Sequence, residues 1–224
     1  MDVSLDTDIT IHLFESGKEN LLFKYFDRIY IHEFVLEREL IHKSTETYNK
    51  VKNCISESDI IKVDQRYLIE IGMKKDFEDK RDEIKILFDY GEANAVALAA
   101  VLGIAALVTD DTKEYGPHHS LTKGYVENII PFAFYELLYL EYLQSDDDYD
   151  SLQKDFELIN QRAYPEHPMS FVKRIQRVVS RFGKRGTVRD RNWMNDFSSR
   201  NNIDYPAKMR LLKQHLEKEY TKHP

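Results

Sequence analysis

Apolar and polar positions fall into blocks that predict strands alternating with helices. Val3–Leu5 is a short apolar run that stops at Asp6-Thr7-Asp8. Residues 21–26 have a helical pattern, and residues 28–31 (RIYI) are β-branched and aromatic, which predicts a strand. From His32 the period changes to a helical one, with Phe34, Leu36, Leu40 and Ile41 apolar. Residues 43–90 are polar, rich in Lys and Glu, and predict mostly helix. After Gly91, Ala93, Val96, Ala97 and Ala100 recur at helical spacing, and small residues on one face predict close packing on a sheet. Gly103 ends that helix. Residues 104–108 are continuously apolar, as expected of a strand covered on both faces, and stop at Thr109-Asp110-Asp111. Residues 126–130 predict a further strand, and Pro131 opens an apolar-aromatic helix running to about Leu143. Strand–helix–strand order with crossovers of a dozen or more residues predicts a parallel α/β sheet.

The stretch 144–151 (QSDDDYDS) is an acidic break. It divides the chain into a first domain, 1–145, and a helical C-terminal extension, 146–224. In the extension Val172, Ile175, Val179 and Phe182 recur at spacings of three and four, with Arg174, Arg177 and Arg181 on another face, followed by Lys184 and Arg185. That is an amphipathic helix with a cationic side. Residues 207–220 predict a closing helix.

Composition narrows the class. Aromatic residues make up 12% of the chain, enough for a substantial core, and Cys54 is the single cysteine, so neither an internal disulfide nor a cysteine zinc site is available. The N-terminus has no apolar leader, and residues 95–108 are too short a run to span a bilayer. A cytoplasmic protein with no membrane partner is the expectation. Charge is unevenly placed: residues 162–224 hold fifteen Lys/Arg against six Asp/Glu, while the rest holds 17 basic and 33 acidic side chains. An acidic body with a basic tail suits a polyanionic partner or pairing of the two halves.

The acids carry the chemistry. Ligands of open α/β sheets bind beyond the carboxyl ends of the strands. Asp6 follows the first strand, Asp110 and Asp111 follow the strand at 104–108, Glu92 opens the small-residue helix, and Glu39 lies in the helix after RIYI. Neighbouring strands are about 4.8 Å apart, so acids at their ends crowd one another. Protonation or a cation must relieve that repulsion. Oxygen-only clusters select hard cations, Mg²⁺ or Mn²⁺.

The pieces SLDTDI, VLEREL, DYGEANAVALA and LGIAALVTDD, with VENIIPFAFYELL after them, resemble the successive motifs of PIN-domain nucleases over about residues 1–145. GEANAVALA followed by LVTDD is the most specific part. The resemblance implies a three-layer α/β/α sandwich around a central parallel sheet. It also implies Mg²⁺ or Mn²⁺ and endonucleolytic hydrolysis of phosphodiester bonds by metal-activated water, with RNA favoured over DNA. By motif, Asp6, Glu92, Asp110 and Asp111 match the family's metal ligands, with Glu39 assisting. Asp8 stands where the family commonly shows Asn. Glu33, Glu37 and Glu39 share one helix, and Glu39 is chosen because Leu40 follows it. Which of Asp110 and Asp111 faces the metal is left open by the sequence. Arg174, Arg177, Arg181, Lys184 and Arg185 are the candidate nucleic-acid contacts. Small PIN proteins often resemble toxins, so an antitoxin-like protein partner and a homodimer are further expectations.

Two other functions fit parts of the chain. Asp6-Thr7-Asp8-Ile9-Thr10 after an apolar strand also resembles the first motif of haloacid-dehalogenase-type phosphatases, in which one Asp is a nucleophile and the next but one a general acid. That family gives no reason for GEANAVALA. A PIN-like protein that binds RNA without cutting it is the non-enzymatic reading. His118 and His119 follow Gly116-Pro117 and are expected in a loop. Tyr135, Tyr139 and Tyr142 are expected in a core or interface helix, and Trp193 in either the core of the tail or a stacking platform.

Overall fold

The structure is a computed structural model and describes residues 1–112, 116–122, 128–145 and 149–222. The chain divides into two compact units, Met1–Phe134 and Tyr135–Pro224.

The first unit runs β1 (Val3–Leu5), α1 (Thr7–Glu15), α2 (Asn20–Tyr25), β2 (Ile29–His32) and a π-helical segment (Val35–Leu40) that continues into α3 (Ile41–Lys43). It goes on through α4 (Thr45–Ser56), β3 (Ile60–Val63), α5 (Gln65–Glu70), α6 (Lys74–Ile84), α7 (Tyr90–Val101), β4 (Ala106–Val108), α8 (Pro117–Thr122) and β5 (Ile130–Phe132). All strand pairs are parallel, in the order β3-β2-β1-β4-β5. Helices cover the sheet, giving the predicted three-layer α/β/α sandwich.

Alternation along the central strand explains the layers. Ser4 is in register with Tyr30 on one side and Leu107 on the other. Tyr30 and Leu107 belong to the cluster formed with Ala93, Val96, Ala97, Phe77 and Ile84 of α6 and α7. Ser4 donates its hydroxyl to the Ala95 carbonyl at 2.9 Å, a contact only a small side chain on β1 and small residues on α7 permit. Val3 and Leu5 point the other way and are fully buried. Gly103, at φ +64°, turns the chain out of α7 towards β4.

Five predicted features differ from the observed ones. β3 lies inside the segment predicted as mostly helical; it is a four-residue edge strand with two half-buried positions, so its apolar signal is short and interrupted by Lys62. β4 is three residues long rather than five. The strand predicted at 126–130 is observed at Ile130–Phe132, and Val126 and Glu127 lie outside the described residues. Pro131 therefore sits within a strand instead of opening a helix; β5 is at the sheet edge, where a missing N–H costs no ladder bond. His118 and His119 lie in the short helix α8, not in a loop.

The second unit is built from helices: α9 (Phe134–Gln144), α10 (Tyr149–Ala163), α11 (Phe171–Phe182), α12 (Val188–Arg200) and α13 (Tyr205–Lys222). Packing thus assigns α9 to the helical unit, although the acidic break places it in the first domain. Tyr135, Tyr139 and Tyr142 are core residues, and Trp193 lies between the rings of Phe182 and Phe197 at 5.7 and 5.3 Å. The buried stripe of α11 is Phe171, Ile175, Val178 and Phe182. No helix among the described residues is long and apolar enough to cross a membrane.

Candidate active site

One residue, Asp6, separates β1 from α1. Its backbone is extended and its N–H donates to the Val108 carbonyl at 3.1 Å, so the ends of β1 and β4 are flush. Its carboxylate accepts from the Thr7 N–H and from the Thr109 hydroxyl, each at 2.7 Å. Burial pushes the Asp6 carboxyl up to about 7; Asp8 and Glu39 add to the rise, and the bonds from Thr109 and Thr7 oppose it. Thr109 also accepts from the Asp111 N–H at 3.3 Å, tying the two strand ends together.

Glu92 is held by a capping box. Its N–H donates to the Asp89 carboxylate at 2.9 Å, and its own carboxylate accepts from the Asp89 N–H at 3.1 Å. It is also hydrogen-bonded to the Asp111 side chain. Two carboxyls placed this way favour a proton or a cation between them. Burial first, then Asp111, Asp89 and Asp6, raise the Glu92 carboxyl.

Three glutamates compete for the helical position after β2, and the π-helical turn separates them. Glu37 is taken by Tyr48 and Lys62, at 2.9 and 3.1 Å. Glu33 lines a neighbouring cavity. Glu39 faces the acids: it accepts from the Thr7 hydroxyl, lies against the bare Cα of Gly91, and is raised by its burial.

Asp110 is placed differently from Asp111. Its carboxylate meets His12 Nδ1 at 2.7 Å and accepts from the Phe134 N–H at 2.9 Å. Burial lowers the His12 imidazole, but the bond and charge of Asp110 outweigh it and hold it above its ordinary value. Asp110 is thus engaged by His12 and the Phe134 N–H, and Asp111 is the one that joins Glu92. Asp8, at the rim, pairs with Lys43 at 2.8 Å.

The structure therefore brings Asp6, Glu39, Glu92 and Asp111 into one mutually repelling group. Among the described residues no three His, Cys, Asp or Glu side chains are grouped so as to hold an ion as they stand. The donor set is nevertheless oxygen only, which fits Mg²⁺ or Mn²⁺. Glu92 and Asp111 interact through their side chains, and a cation held there would take the place of the proton that Glu92 favours. Thr7, His12, Asp89 and Thr109, which orient the acids, are not among the sequence candidates. Asp89 was readable, because an Asp three residues before Glu92 is a capping-box pattern.

Gly91 offers a test of Glu39. A Cβ there would overlap three Glu39 carboxylate atoms. Gly91→Ala is expected to shift denaturation free energy by only about 1 kcal/mol, because the glutamate tail can swing away and Ala favours helix. It should impair any activity that needs Glu39 on Thr7, and in a Glu39→Ala background it should add no further loss.

The basic candidates lie in the second unit. Arg177, Lys184 and Arg185 are exposed, and Arg174 is half-buried with its guanidinium 5.5 Å from the Tyr135 ring. Arg181 is not on a cationic surface. It is buried, donating to Glu136 at 2.7 Å and to Asp190 at 2.8 Å, because it borders the apolar stripe of α11 and folds over the Phe182 ring.

No family model, curated protein or solved structure matches the chain.

Proposed function

We propose that the chain is a divalent-metal-dependent nuclease that hydrolyses phosphodiester bonds, with RNA as the favoured substrate. The observation that carries this reading is the group formed by Asp6, Glu92 and Asp111 at the carboxyl ends of β1 and β4, with Glu39 beside it. Buried acids that raise one another's proton affinity form a site that a cation would stabilise. Asp6, Glu92 and Asp111 would hold Mg²⁺ or Mn²⁺, which supplies an acidified water and charge neutralisation at the phosphate. Thr7 and Thr109 orient Glu39 and Asp6, and His12 holds Asp110. Arg177, Lys184 and Arg185 would add phosphate affinity from the second unit.

The test is incubation of the full chain with single-stranded and structured RNA and DNA, with Mn²⁺ or with EDTA. Cleavage products that appear only with Mn²⁺ are expected. No cleavage and no calorimetric Mn²⁺ binding would remove the proposal; RNA binding without cleavage would favour a non-catalytic RNA-binding protein. A covalent aspartyl-phosphate would favour a phosphatase. Because Asp6 is held up to about 7 and Glu92 is raised further by burial and by Asp111, cleavage at limiting Mn²⁺ should rise with pH through 7 and keep rising above it.

A further inference from the structure

The cavity lined by Glu33 adjoins the acidic group. It has a volume of about 360 Å³ and is lined by His32, Phe34, Arg38, Arg81, Tyr90 and Asn94, together with Glu33 and Glu37. That size lies in the range of small-ligand sites. Its walls are π surfaces: Phe34 and Tyr90 meet edge to face at 4.5 Å, and Arg81 lies 5.6 Å from the Tyr90 ring and 5.9 Å from Phe77. His32 stacks on Phe77 at 4.9 Å with an interplanar angle of 17°.

Two polar groups in this wall have capacity to spare. Asn94 is fully buried; its amide N–H donates to the Tyr90 carbonyl at 2.6 Å, while its Oδ1 has no hydrogen-bond partner among the described residues. Buried acceptors are rarely left unmet. His32 Nδ1 accepts from the Phe34 N–H at 3.1 Å, which leaves the ring proton on Nε2 as a donor. Burial and Arg81 hold this imidazole down to about 4, so it is neutral at physiological pH. Glu37 is committed to Lys62 and Tyr48, so it does not set the charge of the cavity.

We propose that this cavity takes an unpaired nucleobase of a single-stranded nucleic acid, stacked on the Tyr90–Phe34 wall and read by Asn94 Oδ1 and His32 Nε2. Every nucleobase carries N–H donors and acceptors along one edge, which matches an amide oxygen and an imidazole N–H lining the same wall. Arg38, exposed at the rim, is suited to the attached phosphate. Location completes the argument. Tyr90, Gly91 and Glu92 are consecutive, and Glu39, next to Arg38, touches Gly91. A base in the cavity places its own backbone beside the Glu39–Glu92 acids, so the inference deepens the nuclease reading and rests on it for the meaning of the site.

Binding is measured in EDTA, where no metal-dependent cleavage occurs, by fluorescence polarisation of labelled poly(A), poly(C), poly(G), poly(U) and an abasic strand of equal length. At least one homopolymer should bind about tenfold or more tightly than the abasic strand. Tyr90→Ala, at an exposed position, should reduce that strand to abasic affinity. Asn94→Leu should narrow the differences among the four bases; if circular dichroism shows it unfolded, Arg38→Ala and Tyr90→Ala carry the test. Equal affinity for all five strands, or base preference unchanged in Tyr90→Ala, would overturn the proposal. Cleavage with Mn²⁺ is scored separately. Preference without cleavage leaves the cavity standing and removes the nuclease reading, and cleavage without preference does the reverse.

Discussion

Asp6→Asn is expected to lower Mn²⁺-dependent cleavage by about a thousandfold or more, equivalent to about 4 kcal/mol of transition-state stabilisation. The same change should leave the metal-free protein more stable above neutral pH. Asn keeps the shape of the side chain; its Oδ1 can accept from the Thr7 N–H, while its amide must donate to the Thr109 hydroxyl, which donates to Asp6. It removes the charge. The folded carboxyl ionises near 7 and the unfolded one near 3.8, so between those values the native state holds a proton that the unfolded state has lost. Stability from this group is complete below about 3.8, falls as pH rises through that window, and is gone above 7, a loss on the order of a few kcal/mol. Mn²⁺ held by the ionised acids, as proposed, should restore stability at pH 8 in the wild type. Chemical denaturation at pH 5 and pH 8, with and without Mn²⁺, checks both halves. Full cleavage by Asp6→Asn, or equal Mn²⁺ stabilisation of variant and wild type, would dismiss Asp6 as a ligand.

How much of this was readable in the sequence depends on burial. β1 and β4 lie at and beside the sheet centre, so their side chains are buried on both faces and, Ser4 apart, apolar, and the acids that follow them stand out. β3 and β5 are edge strands. One carries Lys62 and the other Pro131, and each mimics a loop or a helix start. The same division holds in the site. Asp6, Glu92 and the Asp110-Asp111 pair follow from strand ends and a helix start. Which aspartate joins Glu92 does not, because it depends on His12, ninety-eight positions from Asp110, and on where Phe134 presents its N–H. Arg181 failed for a related reason. Helical spacing put it on the face of Arg174 and Arg177, but its partners come from α9 and α12, and no local pattern reveals them.

Those partners make Arg181→Met the change with the largest expected effect on the helical unit, a destabilisation of about 3–5 kcal/mol. Arg181 has 7% of its side chain exposed, against 2% for Glu136 and 0% for Asp190. Arg189 donates to the second oxygen of Asp190 at 2.9 Å, so two cations balance two carboxylates. Met fills much of the arginine stem, so packing against Phe182 is largely kept and the loss is electrostatic. Glu136 then stays buried without its cation, and Asp190 keeps only Arg189. Protonation relieves that orphaned charge, so the deficit should be largest above neutral pH and shrink in mild acid. A cavity-forming substitution would not show this dependence. Removing the charges together, in Arg181→Met with Glu136→Gln and Asp190→Asn, should recover part of the loss, because the cost lies in the unpaired carboxylates more than in the missing bridge. Urea denaturation followed by near-ultraviolet circular dichroism of Trp193, which packs on Phe182, reports on this unit directly. A single variant as stable as wild type at pH 8, or a triple variant weaker than the single one, would mean that Arg181 is held by packing alone.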